Sequence, residues 1–92
     1  MSDETEKRHK RILYRAIHRG FKEADILIGG FARDRIDTLN EAELDAFESL
    51  LDQNDHDIYG WVLGNRPVPA EHDTALMRKL NAYALEARPV RT

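Results

Sequence analysis

Apolar residues return at steps of three and four in five separate stretches of this chain, and only a few residues separate one stretch from the next. Steps of that size gather side chains on one face of an α-helix; a half-buried strand needs strict alternation, which none of the stretches shows. Ile12, Leu13, Ala16 and Ile17 mark the first helix, predicted over residues 6–19, and Ala24, Leu27, Ile28 and Phe31 the second, over 22–33. Leu44, Phe47, Leu50 and Leu51 mark the third; Ile58, Tyr59, Trp61, Val62 and Leu63 the fourth; Leu76, Leu80 and Tyr83, with Met77 and Ala84 beside them, the fifth, over 70–86. Short connections force successive helices back against one another. The predicted fold is therefore all-α, a compact five-helix antiparallel bundle forming a single domain over residues 1–92, with an ordered core at about 6–86 and frayed termini at 1–5 and 87–92.

The punctuation between the helices is specific. Asn40 followed three positions later by Glu43 is a capping box, and Leu39 facing Leu44 across it is a hydrophobic staple, so the third helix starts there. The fourth starts at Asn54 or Asp55, where Asp55 and Asp57 complement the positive helix end, and stops at Gly64-Asn65. Arg66-Pro67-Val68-Pro69 is an extended connector. Gly20 lies between the first two helices, where a positive φ would close the first of them. Gly29-Gly30 costs the second helix roughly 2 kcal/mol of propensity relative to alanine, so that helix either ends there or admits another backbone at close range.

At 92 residues, 41% hydrophobic and 34% charged, the chain supports one modest core and no deep enclosed active site of its own. It has no cysteine, which excludes a disulfide framework, a zinc–thiolate site and a thiol nucleophile. No apolar run reaches the roughly 18 residues needed to cross a bilayer, and the polar, acid-bearing opening has neither a secretory apolar stretch nor the look of an organellar transit peptide. A cytoplasmic protein of bacterial origin is expected, with no membrane association and monomeric when free. The net charge of −3 hides an asymmetry: residues 1–22 carry seven Lys or Arg against three acids, and residues 37–73 carry ten acids against Arg66 alone. An electrically polar molecule of this kind suits docking on a complementary protein surface.

Several groups invite a chemical reading and do not sustain one. Asp52-x-Asn54-x-His56 imitates the opening of a calcium loop, but Asp57 stands where glycine is required and Leu63 where glutamate is. His9, His18, His56 and His72 are not spaced as a ligand pair, so no metal is assigned. Glu71 and Asp73 flank His72 after Pro69, where acids serve a helix dipole rather than catalysis. Trp61, Tyr59 and Phe47 read as core. Arg8, Arg11, Arg15 and Arg19 form a row along the first helix that would suit a phosphate backbone, making a small nucleic-acid-binding or other protein-interaction module the alternative function. No polar recognition helix follows Gly20, and the acidic half would repel phosphate.

The junction His18-Arg19-Gly20-Phe21-Lys22-Glu23-Ala24-Asp25-Ile26 sets Arg19 and Glu23 around a glycine. Read alone, it is a helix end with a surface ion pair between Arg19 and Glu23 worth ~0.5 kcal/mol. Taken with Leu50-Leu51 and Asp55-x-Asp57-Ile58-Tyr59-x-Trp61-Val62, however, Arg19-Gly20-x-x-Glu23-x-Asp25-Ile26 resembles the succinate dehydrogenase assembly factor family, also called FAD assembly factors, across about residues 8–85.

The resemblance implies a five-helix protein that binds the flavoprotein subunit of succinate dehydrogenase, or of fumarate reductase, and promotes covalent attachment of FAD to a histidine of that subunit. It implies a chaperone rather than an enzyme, with no catalytic residues and no stably bound cofactor of its own. It places Arg19, Gly20 and Glu23 at the partner contact, with Asp25 and Trp61 in the matched motifs as lesser candidates. Gly20 is expected to permit close backbone approach, Arg19 and Glu23 to make polar docking contacts, and Arg8, Arg11 and Arg15, on our own reading, to steer the chain toward an acidic partner surface.

Overall fold

A computed structural model describes residues 3–87. Over these residues the chain forms five α-helices and no strand: α1 (Asp3–Ile17), α2 (Lys22–Arg35), α3 (Glu41–Leu51), α4 (Asp55–Leu63) and α5 (Ala75–Ala87), with single 3-10 turns at Ile36–Thr38 and Ala70–His72. The all-α bundle expected from the apolar spacing is the fold observed. The core takes Ile12 and Ala16 from α1, Ala24, Ile28 and Phe31 from α2, Leu44, Phe47, Leu50 and Leu51 from α3, Ile58, Trp61 and Val62 from α4, and Leu76, Met77, Leu80 and Ala84 from α5. Phe31 is its hub, meeting Phe47 edge-on at 5.7 Å and Tyr83 at 5.5 Å. Tyr59, read as core, is only half-buried and meets Phe21 edge-on instead.

Helix starts match their caps. Asn40 accepts from the Glu43 N–H at 2.8 Å while Glu43 accepts from the Asn40 N–H at 2.9 Å, which completes the capping box. Gly64, at φ 81°, ends α4 in the left-handed conformation that glycine adopts without strain.

Four boundaries differ from the sequence reading. α1 begins three residues earlier, at Asp3, because Asp3, Glu4 and Glu6 favour a helix N-terminus. It also ends two residues earlier, at Ile17, so Arg19 lies beyond the helix. α2 runs straight through Gly29-Gly30 to Arg35. α5 begins at Ala75 instead of residue 70, because the Thr74 hydroxyl accepts from the Met77 N–H at 3.1 Å and makes Thr74 the cap; the residues before it form a separate 3-10 turn. Of the termini expected to fray, 1–5 and 87–92, residues 3–5 and 87 are helical, and residues 1–2 and 88–92 lie outside the described residues.

The glycine pair explains why α1 and α2 lie so close. A Cβ on Gly29 would stand 2.6 Å from Ile17 Cγ2 and 3.2 Å from Ile17 Cα, so α2 continues through a weak pair of helix formers in order to receive another backbone. A Cβ on Gly30 would stand 2.9 Å from the Tyr83 hydroxyl and 3.8 Å from its ring, a side chain rather than a backbone. Gly29→Ala gains ~1 kcal/mol of helix propensity but overpacks against backbone, at a cost of ~1–3 kcal/mol. Chemical denaturation should therefore show a net loss for Gly29→Ala and a smaller effect for Gly30→Ala; the reverse order would contradict the close approach.

Glu43 also joins α3 to α5. Its buried carboxylate receives Lys79 Nζ at 2.7 Å, and that hydrogen bond, followed by the one from the Asn40 N–H, holds the carboxyl below its ordinary value of 4.5. A carboxyl with a lowered folded pKa adds stability that is present above the unfolded value and lost as pH falls through the folded one. Glu43→Gln should lower Tm near neutrality, with the difference from the parent chain shrinking as pH drops below the carboxylate range. A difference that grows under acid would reverse the sign assigned here.

Candidate functional site

The turn between α1 and α2 is built around Arg19. After Ile17 the chain leaves the helix, and two side chains just beyond it close the free carbonyls: the His18 ring lies with Nδ1 2.8 Å from Tyr14 O, and Arg19 Nη1 donates to Arg15 O at 3.1 Å. The rest of the Arg19 guanidinium crosses to the α3–α4 turn. Nη2 donates to Leu51 O at 3.1 Å and Gln53 O at 3.4 Å, while Nε donates to Asp55 Oδ1 at 2.8 Å and Nη2 closes the ion pair at 2.6 Å. The side chain is 9% exposed. The surface pair with Glu23 that the spacing suggests does not form; Arg19 turns inward because two helix C-termini and one carboxylate offer it a better-satisfied site than one solvated glutamate does.

The remaining junction residues follow from that anchor. Asp25 accepts from the Arg19 backbone N–H at 2.6 Å, folding the turn back on the first turn of α2. Phe21 stacks on His56 at 4.5 Å and meets Tyr59 edge-on at 5.2 Å, which fastens the turn to α4. Gly20 is exposed, and its φ is not positive, since Gly64 alone among the described residues has that conformation. Space, not backbone conformation, requires a glycine there: a Cβ would stand 2.5 Å from Asp55 Oδ2. Glu23 is exposed and has no ion-pair partner among the described residues. Trp61 is buried in α4 and stacks on His72 at 5.3 Å, away from the turn.

The arginine row divides. Arg8 reaches three acids of α3, with Glu48 at 2.7 Å, Glu41 at 3.3 Å and Asp45, and the bonds to Asp45 and then Glu48 raise its pKa further. Arg15 pairs with Asp52 at 2.5 Å. Arg11 is exposed and without an ion-pair partner among the described residues. The electrical polarity expected from the sequence is partly cancelled inside the fold, because three of the seven basic side chains of the first segment face acids of the second.

A hollow lined by Glu4, Thr5, Lys7, Arg8, Arg11 and Glu41 has no aromatic wall to hold an isoalloxazine ring. Among the described residues no three His, Asp or Glu side chains are gathered to hold a metal ion. Nor, among the described residues, is any helix long and apolar enough to cross a membrane. Sequence reasoning missed Phe21 and His56, whose ring contact has no local signature, and gave Asp55 a place at the start of α4 and in the second motif but no contact with Arg19.

Asp55 and Gly20 are coupled sterically, which makes a double-mutant cycle informative. Asp55→Ala should cost ~1–3 kcal/mol, discounted from a fully buried pair because Asp55 retains 26% exposure. Gly20→Ala should destabilise the parent chain yet be nearly neutral beside Asp55→Ala. Additive effects would mean the two positions do not share this contact.

Residues 10–84, which include both sequence motifs, match the family model described as flavinator of succinate dehydrogenase. The chain is 40% identical over 73 residues to the FAD assembly factor SdhE of Acetobacter pasteurianus, covering 79% of this chain and 67% of that protein. It is 40% identical over 75 residues to the mitochondrial succinate dehydrogenase assembly factor 2 of Dictyostelium discoideum, covering 82% and 53%. It is 34% identical over 85 residues to assembly factor 2-B of Drosophila ananassae, covering 90% and 52%. The chain thus spans about half the length of these two mitochondrial relatives. With both motifs inside the matched span and meeting at one turn of the structure, this chain belongs to the flavinator of succinate dehydrogenase family.

Proposed function

We propose that the chain is an assembly factor that binds the flavoprotein subunit of succinate dehydrogenase and promotes covalent attachment of FAD to it. The observation that carries this reading is the match over residues 10–84, which takes in the Arg19-Gly20-x-x-Glu23 turn and the Asp55 to Trp61 segment that the turn rests on. Fumarate reductase is a second client of the same chemistry. The chain acts as a chaperone without catalytic groups or a resident flavin, as a monomer, in the cytoplasm of a bacterium.

The geometry supports a division of labour within the signature. Gly20 and Glu23 are exposed and face the partner: Gly20 lets a second backbone approach, and Glu23 offers a carboxylate for a charge-assisted hydrogen bond. Arg19 and Asp25 hold the turn in shape from behind. Covalent attachment through the flavin 8α-methyl requires loss of a proton and development of charge on the isoalloxazine ring. A rigid factor that orders the flavoprotein's own groups lowers that barrier by preorganisation, and need not supply a reacting group.

The nucleic-acid alternative loses three of the four arginines that prompted it. Arg8, Arg15 and Arg19 are engaged by Glu48, Asp52 and Asp55, and Arg11 alone does not make a phosphate-tracking row.

Glu23→Ala should leave Tm within ~0.5 kcal/mol equivalent of the parent chain, because the side chain is exposed. It should lower covalent flavin on a co-expressed tagged flavoprotein subunit by about tenfold, the loss expected for one charged hydrogen bond. In-gel flavin fluorescence measures this. Full flavinylation by a folded Glu23→Ala protein would remove Glu23 from the contact, and full flavinylation with a folded Gly20→Arg protein would remove the turn itself.

A further inference from the structure

Four basic residues that the fold does not neutralise among the described residues lie on the outward side of α1 and α2. In α1, Tyr14 is about 200° around the helix from Ile12 and from Ala16, the two residues that α1 buries; in α2, Ile26 is about 200° from buried Ala24 and Ile28. The two helices pack side by side where Ile17 meets Gly29, so their outward faces form one continuous surface. At its centre are two of the most exposed large apolar side chains, Tyr14 and Ile26, each 63% exposed. Around them stand Lys10, Arg11, Lys22 and Arg33, all exposed and none with an ion-pair partner among the described residues. Gly20 and Glu23 border this surface, Gly20 at the turn and Glu23 one helical turn before Ile26.

We infer that the outer face of the α1–α2 hairpin, centred on Tyr14 and Ile26 and ringed by Lys10, Arg11, Lys22 and Arg33, docks on an acidic surface of the flavoprotein partner. This rests on the assembly-factor reading and deepens it. Unpaired cations around an apolar centre have the anatomy of a protein-binding patch, in which the rim governs encounter and the centre governs residence. The charge complement it requires is acidic. Steering therefore belongs to Arg11 with the lysines and Arg33, whereas Arg8 and Arg15 secure α1 to α3.

The test is association of the chain with the isolated flavoprotein subunit, followed by surface binding at low and high salt. Lys10→Gln with Arg11→Gln and Lys22→Gln should slow association about tenfold at low salt, flatten its salt dependence and leave dissociation and Tm unchanged. Tyr14→Ser with Ile26→Ser should instead speed dissociation. If the parent chain binds and both variants bind as it does, the surface is overturned while the assembly-factor reading stands. If the parent chain neither binds the subunit nor supports its flavinylation, both fall. Parent-chain binding to phosphatidylserine vesicles or duplex DNA that the glutamine variant loses, with subunit association unaltered, would also overturn it.

Discussion

One guanidinium joins three helix ends in this protein. Arg19 lies just past α1, yet it caps the C-terminal carbonyls of α1 through Arg15 O and of α3 through Leu51 O, and pairs with Asp55 at the first residue of α4. Each contact places positive charge where a helix dipole is negative, or against a carboxylate that already stabilises a helix start. A lysine has one point charge and no planar fork, and would not serve these acceptors together. The exposed turn at Gly20 is shaped by what holds it from beneath.

The same logic governs the charge distribution. A basic first segment and an acidic middle one suggest a molecule with opposed faces, but α1 packs beside α3 and spends Arg8 and Arg15 on Glu41, Asp45, Glu48 and Asp52. Exposed pairs of this kind add little stability one at a time, whereas four acids meeting two arginines along one helix seam disfavour any other pairing of α1. What is left over on the outward side of the α1–α2 hairpin is the charge that the proposed docking surface presents. Fold specificity and the proposed steering thus draw on different basic residues.

Much of this architecture was legible in the residues. The apolar spacing gives the five helices because a helix in so small a domain must turn a stripe inward, and Asn40 with Glu43 marks its boundary because both partners lie within one turn of each other. The two strings Arg19-Gly20-x-x-Glu23 and Asp55 to Trp61 are also readable. Their contact is not: Arg19 and Asp55 are 36 residues apart, and nothing local distinguishes an arginine that will turn inward from one that will face solvent. The same holds for Gly29, where propensity alone cannot separate a helix stop from a site of close approach; Ile17 decides it. Thr74 had a capping hydroxyl in plain view, but Pro69 and the acids after it compete as a start signal for the last helix.

The use of glycine at position 20 connects these arguments. Its φ is one that any residue adopts, so the position is not reserved for a backbone conformation. The room a side chain would occupy is filled by the Asp55 carboxylate, itself fixed by Arg19. Any Cβ there must therefore displace the carboxylate and disturb its pair with the guanidinium that caps α1 and α3, and on the proposed docking the rest of a larger side chain would also fill space a partner needs. Stability opposes the displacement and the proposed docking opposes the added bulk, so the same absent side chain satisfies both constraints. If the turn is the contact proposed above, it reaches its partner already ordered, and association need not include the conformational cost of arranging it.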